Sequence, residues 1–251
     1  MLMNDTDKKI KVLWLYPSVL NLHGERGNMM ALSRVAGIMG LTLEIVRVEA
    51  PGDVLPLDEA DMLYLAPGQV KDMANIADAM KAQNEQLNAF VERGGAILAT
   101  GTAGCVLARE TVRADGSRFP GLGLLPMTCR ERDAVYGDDI WFTTDKGFEV
   151  IGCQIQVVDT LLDTEARPYG KLIYGRGNNG GGDEGCRRKN VVFTNTLGPM
   201  LVKNPRIAEG LLCQISDIAD ICPAGRLAAE DTEYEDKSAE LIRKFIKAKM
   251  A

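Results

Sequence analysis

Gly94–Glu110 reads GGAILATGTAGCVLARE, and the reading of this stretch decides the fold. Two glycines lead into a short apolar run, Ala96 to Ala99. A turn of small residues follows, Thr100 to Gly104, and an apolar-periodic segment opens at Cys105. Strand, sharp turn and helix in that order can lift a nucleophile above the carboxyl end of a central strand. The turn itself holds Gly101, Thr102, Ala103 and Gly104, with neither Ser nor Cys at its apex.

Upstream, the same alternation recurs. Ile10 to Tyr16 (IKVLWLY) is a nearly continuous apolar run, as in a strand buried on both faces. Met29 to Met39 has helical spacing and stops at Gly40. Leu43–Val48 and Asp61–Ala66 read as two further strands, the second running into Pro67-Gly68. Asp72 to Arg93 reads as one long amphipathic helix closed by Gly94-Gly95. Alternating strands and helices imply an α/β fold, a mostly parallel twisted sheet with helices on both faces. Ligand sites in such sheets lie beyond the carboxyl ends of the strands. The loops Pro17–Asn28, Pro67–Asp72 and Thr100–Cys105 are therefore expected to converge.

Downstream of Ala108 the pattern changes. Turn signals at Asp115-Gly116 and Gly121-Leu122-Gly123 precede strand-like runs at Ile140–Thr143 and Phe148–Val158, read as a small antiparallel extension. Lys171–Tyr174 is a short strand before the Gly-rich loop Gly175–Gly185, and Asn190–Thr196 returns as a strand. Ile207–Ile218 and Glu233–Lys249 have helical spacing; the latter runs from acids to Lys/Arg, matching the helix dipole. The expected organisation is a disordered leader over 1–9, a single domain over 10–218 and a C-terminal extension with a helix over 219–251.

The 251 residues suit one large domain or a domain with an appendage. The net charge of −6 argues against non-specific nucleic-acid binding, which needs a basic surface. No apolar stretch is long enough to span a membrane, and the opening MLMNDTDKKIK lacks the apolar core of a signal peptide, so cytoplasmic residence is expected. The six cysteines form no CxxC pair and read as free thiols, with no zinc spacing. The only histidine is His23. Any Cys-His or Ser-His catalysis within this chain must use it or borrow a base from elsewhere.

Six ordered signals carry a resemblance over roughly residues 10–215. They are LNLHGERGN after the first strand, APG after the third, the elbow, DGSRFPGLGLLP beyond it, YGRGNNGGGDEG, and TLGPMLVKNP before the last helix of the domain. In order and spacing the chain resembles the CobB/CobQ-type class I glutamine amidotransferases, which are flavodoxin-like. Within that family it is most similar to the amidotransferase subunits of lipid II isoglutaminyl synthases. The resemblance implies a subunit that releases ammonia from glutamine for a Mur-ligase-like ATP-dependent partner, which amidates the peptidoglycan stem peptide. No cofactor and no metal are implied.

That chemistry needs an elbow thiolate and a histidine to activate it. Counting back from Asp115-Gly116, the family's nucleophile position falls on Gly101, and Cys105 falls on the family's elbow Gln. The family's His-Gly-Pro triplet is here Leu197-Gly198-Pro199. Its glutamine-binding arginine falls on Val135, with Arg130 and Arg132 nearby. Since no histidine follows residue 23, no shift of register repairs Leu197.

Three readings follow. The first is a degenerate subunit that keeps the fold and the partner interface. The second is an active glutaminase using Cys105 with His23 or a partner's base. The third is a stand-alone protein for a small ligand. The expected ligand pocket is Gly68, Gln69, Gly101, Thr102 and Cys105, with free N–H groups at Thr100–Gly104 for a glutamine-like carboxylate. The loop Gly175–Gly185 is expected to be a shaped rim, with Asp183 and Glu184 more structural than cation-binding.

Overall fold

The computed structural model describes residues 9–251; eight of the nine positions of the expected leader lie outside the described residues. Two six-stranded sheets make up the molecule. The first is built from β1 (Ile10–Leu15), α1 (Gly27–Ile38), β2 (Leu43–Val48), β3 (Met62–Leu65), α2 (Val70–Lys81), α3 (Asn84–Glu92) and β4 (Ala96–Thr100). A 3-10 turn at Gly101–Ala103 then leads into the short helix α4 (Gly104–Leu107).

The second sheet takes β5 (Glu110–Val112), β6 (Arg118–Pro120), β7 (Met127–Thr144), β8 (Glu149–Leu162), β9 (Gly170–Tyr174) and β10 (Asp183–Glu184). The chain returns to the first sheet with β11 (Cys186–Arg188) and β12 (Val191–Thr194). It ends in α5 (Met200–Lys203), α6 (Pro205–Ala219) and α7 (Glu233–Met250).

The first sheet runs β11-β12-β4-β3-β1-β2, parallel throughout except for the antiparallel edge strand β11. Every residue of β3 and β4 is buried. That is why these strands are all apolar apart from the terminal Thr100, instead of alternating.

Two expectations need correcting. The single helix over 72–93 is two helices. The break falls at Gln83, whose amide leaves the helix conformation to accept from Leu55 N at 2.8 Å and donate to Asp53 O at 3.2 Å. Helical periodicity continues across the break, so the sequence pattern alone does not reveal it.

The antiparallel extension is not small. β7 is 18 residues long and pairs with β8 from Met127↔Leu162 to Thr143↔Glu149, with the register shifting between Glu131 and Tyr136. The stretch 127–139 is rich in charge, and Arg130, Asp133, Ala134 and Val135 lie exposed. A strand with one solvated face lacks the apolar run used to find it.

The two sheets are stitched together at the carboxyl end of the parallel one. Leu197 and Cys153 exchange backbone hydrogen bonds of 2.8 and 3.1 Å. Asn204, just before α6, donates to Ile151 O at 2.8 Å and accepts from Ile151 N at 2.9 Å. α7 lies on the second sheet, with Ile246 buried against Trp141 and Ile151 and Lys249 paired with Asp138 at 2.7 Å.

Candidate functional site

The turn after β4 has the backbone of a nucleophile elbow. Gly101 sits at φ +56°, a left-handed conformation that glycine adopts freely and other residues adopt under strain. A Cβ built on Gly101 would lie 3.1 Å from Pro67 Cβ and 3.3 Å from Leu197 Cδ2. The two positions marked by counting motifs, almost a hundred residues apart, therefore face one another. A glycine stands opposite a buried leucine.

One neighbouring backbone donor is engaged. In strand–turn–helix hydrolases the oxyanion is held by the N–H after the nucleophile together with one from the loop after the third strand. The second of these corresponds to Gly68 N–H. Here it donates to Thr102 Oγ1 at 3.0 Å, and the Thr102 hydroxyl donates back to Gly68 O at 2.7 Å. Gly68, a member of the expected pocket, thus has its N–H occupied by the side chain of the turn.

The space above the turn is also closed. β8 passes over it, and Gly101, Thr102, Ile155, Gln156, Val158 and Asn195 help enclose a cavity of about 10 Å³. This holds at most about one water molecule, whereas ligand pockets run to hundreds of Å³. Of the expected pocket, Gly101 and Thr102 line the cavity. Gly68 is buried beneath it, and Gln69 is exposed at the start of α2.

Cys105 and His23 are not brought together. Cys105 is wholly buried beside Cys129 and Thr111. Donation from Cys129 holds the Cys105 thiol below its ordinary value, and the same contact and burial drive Cys129 well above its own. Among the described residues no cation contributes to holding a Cys105 thiolate. His23 is exposed in a 3-10 turn at φ +61°, and partial desolvation lowers its pKa. Val135 is also exposed, and Arg132 is spent on Asp159, with two contacts of 3.1 Å. Arg130, the other arginine of this segment, lies exposed.

The first-strand loop contributes a residue that the sequence did not single out. Glu25 is completely buried and accepts four hydrogen bonds. Gly198 N donates to one carboxylate oxygen at 3.0 Å; Asn28 Nδ2, Thr100 Oγ1 and Tyr64 OH approach the other at 2.7, 3.2 and 3.5 Å. Asn28 in turn accepts from Leu201 N at 2.8 Å. One carboxylate thus ties the first loop, the end of β4 and the Leu197-Gly198-Pro199 loop into a single unit. The only sequence signal was a Glu inside LNLHGERGN.

The Gly-rich loop is held by a second buried network. Glu184 accepts from Thr194 Oγ1 at 2.6 Å, Asn195 N at 2.8 Å and Asn195 Nδ2 at 3.0 Å. Asn178 bonds Gly185 N and O at 2.7 and 2.9 Å, and Asp183 pairs with Lys171. Among the described residues no three His, Cys, Asp or Glu side chains are grouped to hold a metal ion.

Burial pushes the Glu184 carboxyl up, against the donors that pull it down. A carboxyl raised in the folded state binds its proton more tightly folded than unfolded. Its penalty is therefore fully present above the folded pKa and disappears as pH falls towards the unfolded value of about 4.3. Relative to Glu184→Gln, the wild type should gain stability as pH falls from 7 towards 5. Urea melts across that range would show it, and a wild type that instead loses ground to the variant would refute the assignment.

A parallel sheet with an elbow after its fourth strand, roofed by strands from a second sheet, defines the glutamine amidotransferase fold. The chain belongs to the CobB/CobQ-like glutamine amidotransferase family, whose model matches residues 11–204. It is 28% identical over 209 residues to the lipid II isoglutaminyl synthase (glutamine-hydrolyzing) subunit GatD of Streptococcus pneumoniae, covering 81% of this chain and 79% of that protein. The Staphylococcus aureus GatD subunit is 26% identical over 195 residues, 77% and 79% of the two chains. Among solved structures, a glutamine amidotransferase from Thermotoga maritima superposes with a TM-score of 0.53 at 10% identity, over 85% of this chain and 99% of that one. A second glutamine amidotransferase gives 0.53 at 15% identity over 83% and 99%. No helix among the described residues is long and apolar enough to cross a membrane.

Proposed function

We propose that this chain is the amidotransferase-like subunit of a two-subunit enzyme that amidates the peptidoglycan stem peptide, that its partner is a Mur-ligase-like ATP-dependent subunit, and that it does not itself hydrolyse glutamine. The loss of chemistry rests on one observation: at the elbow a glycine backbone faces a buried leucine, where a thiol and a base would have to meet. The capped Gly68 N–H and the cavity of about 10 Å³ point the same way.

The retained role rests on the frame. The Glu25 network preserves the convergence of three loops although the groups they would serve are gone. A buried carboxylate is costly unless fully bonded, so its presence favours a loop arrangement that still matters to the protein. The similarity to GatD subunits of lipid II isoglutaminyl synthases supports this reading of pathway and partner. In this reading the subunit positions its partner.

Gentle affinity purification of the full chain from its own cells tests the partnership. A Mur-ligase-like protein should co-purify in stoichiometric amount and remain through gel filtration. Recovery of the chain as a lone monomer would refute the partnered role.

A further inference from the structure

Two sizeable cavities lie away from the elbow. β12 starts at Val191, opposite Ile97 near the start of β4, while the elbow follows Thr100 at the far end of the same strand. Lys189, in the turn that leads into β12, lines a cleft of about 660 Å³ at this opposite end of the sheet.

Six cations line the cleft: Arg109, Lys146, Arg167, Arg187, Arg188 and Lys189, against two carboxylates, Asp145 and Glu165. They come from four separate segments of a chain whose net charge is −6, so the concentration is local and not a reflection of composition. Asp145 answers Arg187, Glu165 and Asp163 answer Arg109, and Glu92 on the rim answers both Arg188 and Lys189. Lys146 reaches only a neutral partner, Gln214 Oε1 at 3.0 Å. The exposed Arg167 guanidinium has no hydrogen-bond or ion-pair partner among the described residues.

Two further observations point to a ligand. Lys189 is held at φ +53°, where glycine is the ordinary occupant of a tight turn. A glycine would relieve the backbone but lose a cation. Partial desolvation and the neighbouring Arg187 hold the exposed Lys146 ammonium below its ordinary value, against the pull of Asp145, and a bound anion would relieve that crowding.

Beside the cleft, and sharing the wall of Asp145, Lys146 and Arg187, lies a second cavity of about 460 Å³. Its lining is largely apolar and includes Ile97, Phe148, Val192 and Leu211. Both volumes fall in the usual range for small-molecule sites, about 300–1,000 Å³.

We propose that the basic cleft binds a phosphate-bearing small molecule, with the adjoining apolar cavity taking the organic part of the ligand. Arginine forks match phosphate oxygens in pairs, and lysine adds a point charge. A doubly charged phosphate suits a site with more cations than carboxylates better than a single carboxylate does. An acidic protein segment would have no use for the apolar cavity.

Calorimetric titration of the full chain at low ionic strength, with inorganic phosphate, pyrophosphate and octyl phosphate as probes, tests this. Pyrophosphate should bind, and Lys146→Ala/Arg167→Ala should weaken it at least 10-fold without changing the fold, since both side chains are exposed. Octyl phosphate should bind at least 10-fold more tightly than inorganic phosphate, and Leu211→Glu should remove that advantage. Equal affinities for those two would overturn the organic part and leave a site for the phosphate group alone. No binding of any probe at millimolar concentration, an unweakened double variant, or preference for a glutamate-rich peptide over pyrophosphate would overturn the proposal as a whole. None of these outcomes depends on glutamine turnover, so the proposal stands or falls apart from the reading of the elbow.

Discussion

Gly101→Cys combined with Leu197→His is expected not to be enough to give the protein glutamine hydrolysis. The double variant restores a thiol and an imidazole where the structure places the two positions face to face. It relieves the approach to Leu197 Cδ2 while leaving Pro67 Cβ 3.1 Å from the new Cβ. A cysteine at φ +56° bears backbone strain of about 1–3 kcal/mol, as strained active-site residues do.

Two obstacles remain. Gly68 N–H is still bonded to Thr102 Oγ1, so one expected oxyanion donor is missing. Losing one such donor costs roughly 100- to 1,000-fold in turnover. The cavity of about 10 Å³ also still excludes the substrate. Adding Thr102→Gly addresses the first and eases the second, because it frees the donor and removes a side chain from the cavity wall. The triple variant should therefore be the first of the series to be labelled by a glutamine-analogue electrophile. Ammonia release by the wild type, abolished by Cys105→Ala, would sink the non-catalytic reading. Labelling of the double variant as fast as the triple would show that Thr102 caps nothing of consequence.

Glu25→Ala should be among the most destabilising single substitutions in the molecule, by about 3–5 kcal/mol in urea denaturation. Removing the carboxylate leaves Gly198 N–H and an Asn28 N–H without their acceptor, each costing about 1–3 kcal/mol when buried, and opens a void in a close-packed region. Thr100 and Tyr64 each lose one contact but keep the freedom to turn their hydroxyls. Glu25→Gln should cost less, about 1–3 kcal/mol, because an amide can still accept on one side while its NH₂ faces Gly198 N–H. A stability change below 1 kcal/mol for the alanine variant would mean that the network does not bind the three loops together.

Some of this was legible in the chain and some was not, for definite reasons. β1, β3 and β4 stand out because strands buried on both faces are almost wholly apolar, and the mostly parallel sheet followed from strand–helix alternation, whereas the strand order came only with the structure. The elbow stood out because a sharp strand-to-helix turn demands small residues, and Gly101 does sit at positive φ. β7 did not stand out: half of it is solvated, so its charges hid a strand of 18 residues. The break at Gln83 did not either, because it depends on a loop nearly thirty residues earlier.

The sequence by itself determined the family frame and the absence of a histidine after His23, since both are properties of residue identity and order. Only the tertiary structure decided that Gly101 faces Leu197, that Thr102 caps Gly68, that Cys105 is sealed away from His23, and that Glu25 holds the loops. Each of these is a contact between segments far apart in the chain. Such contacts depend on how strands register and roofs close, and local pattern carries no record of that.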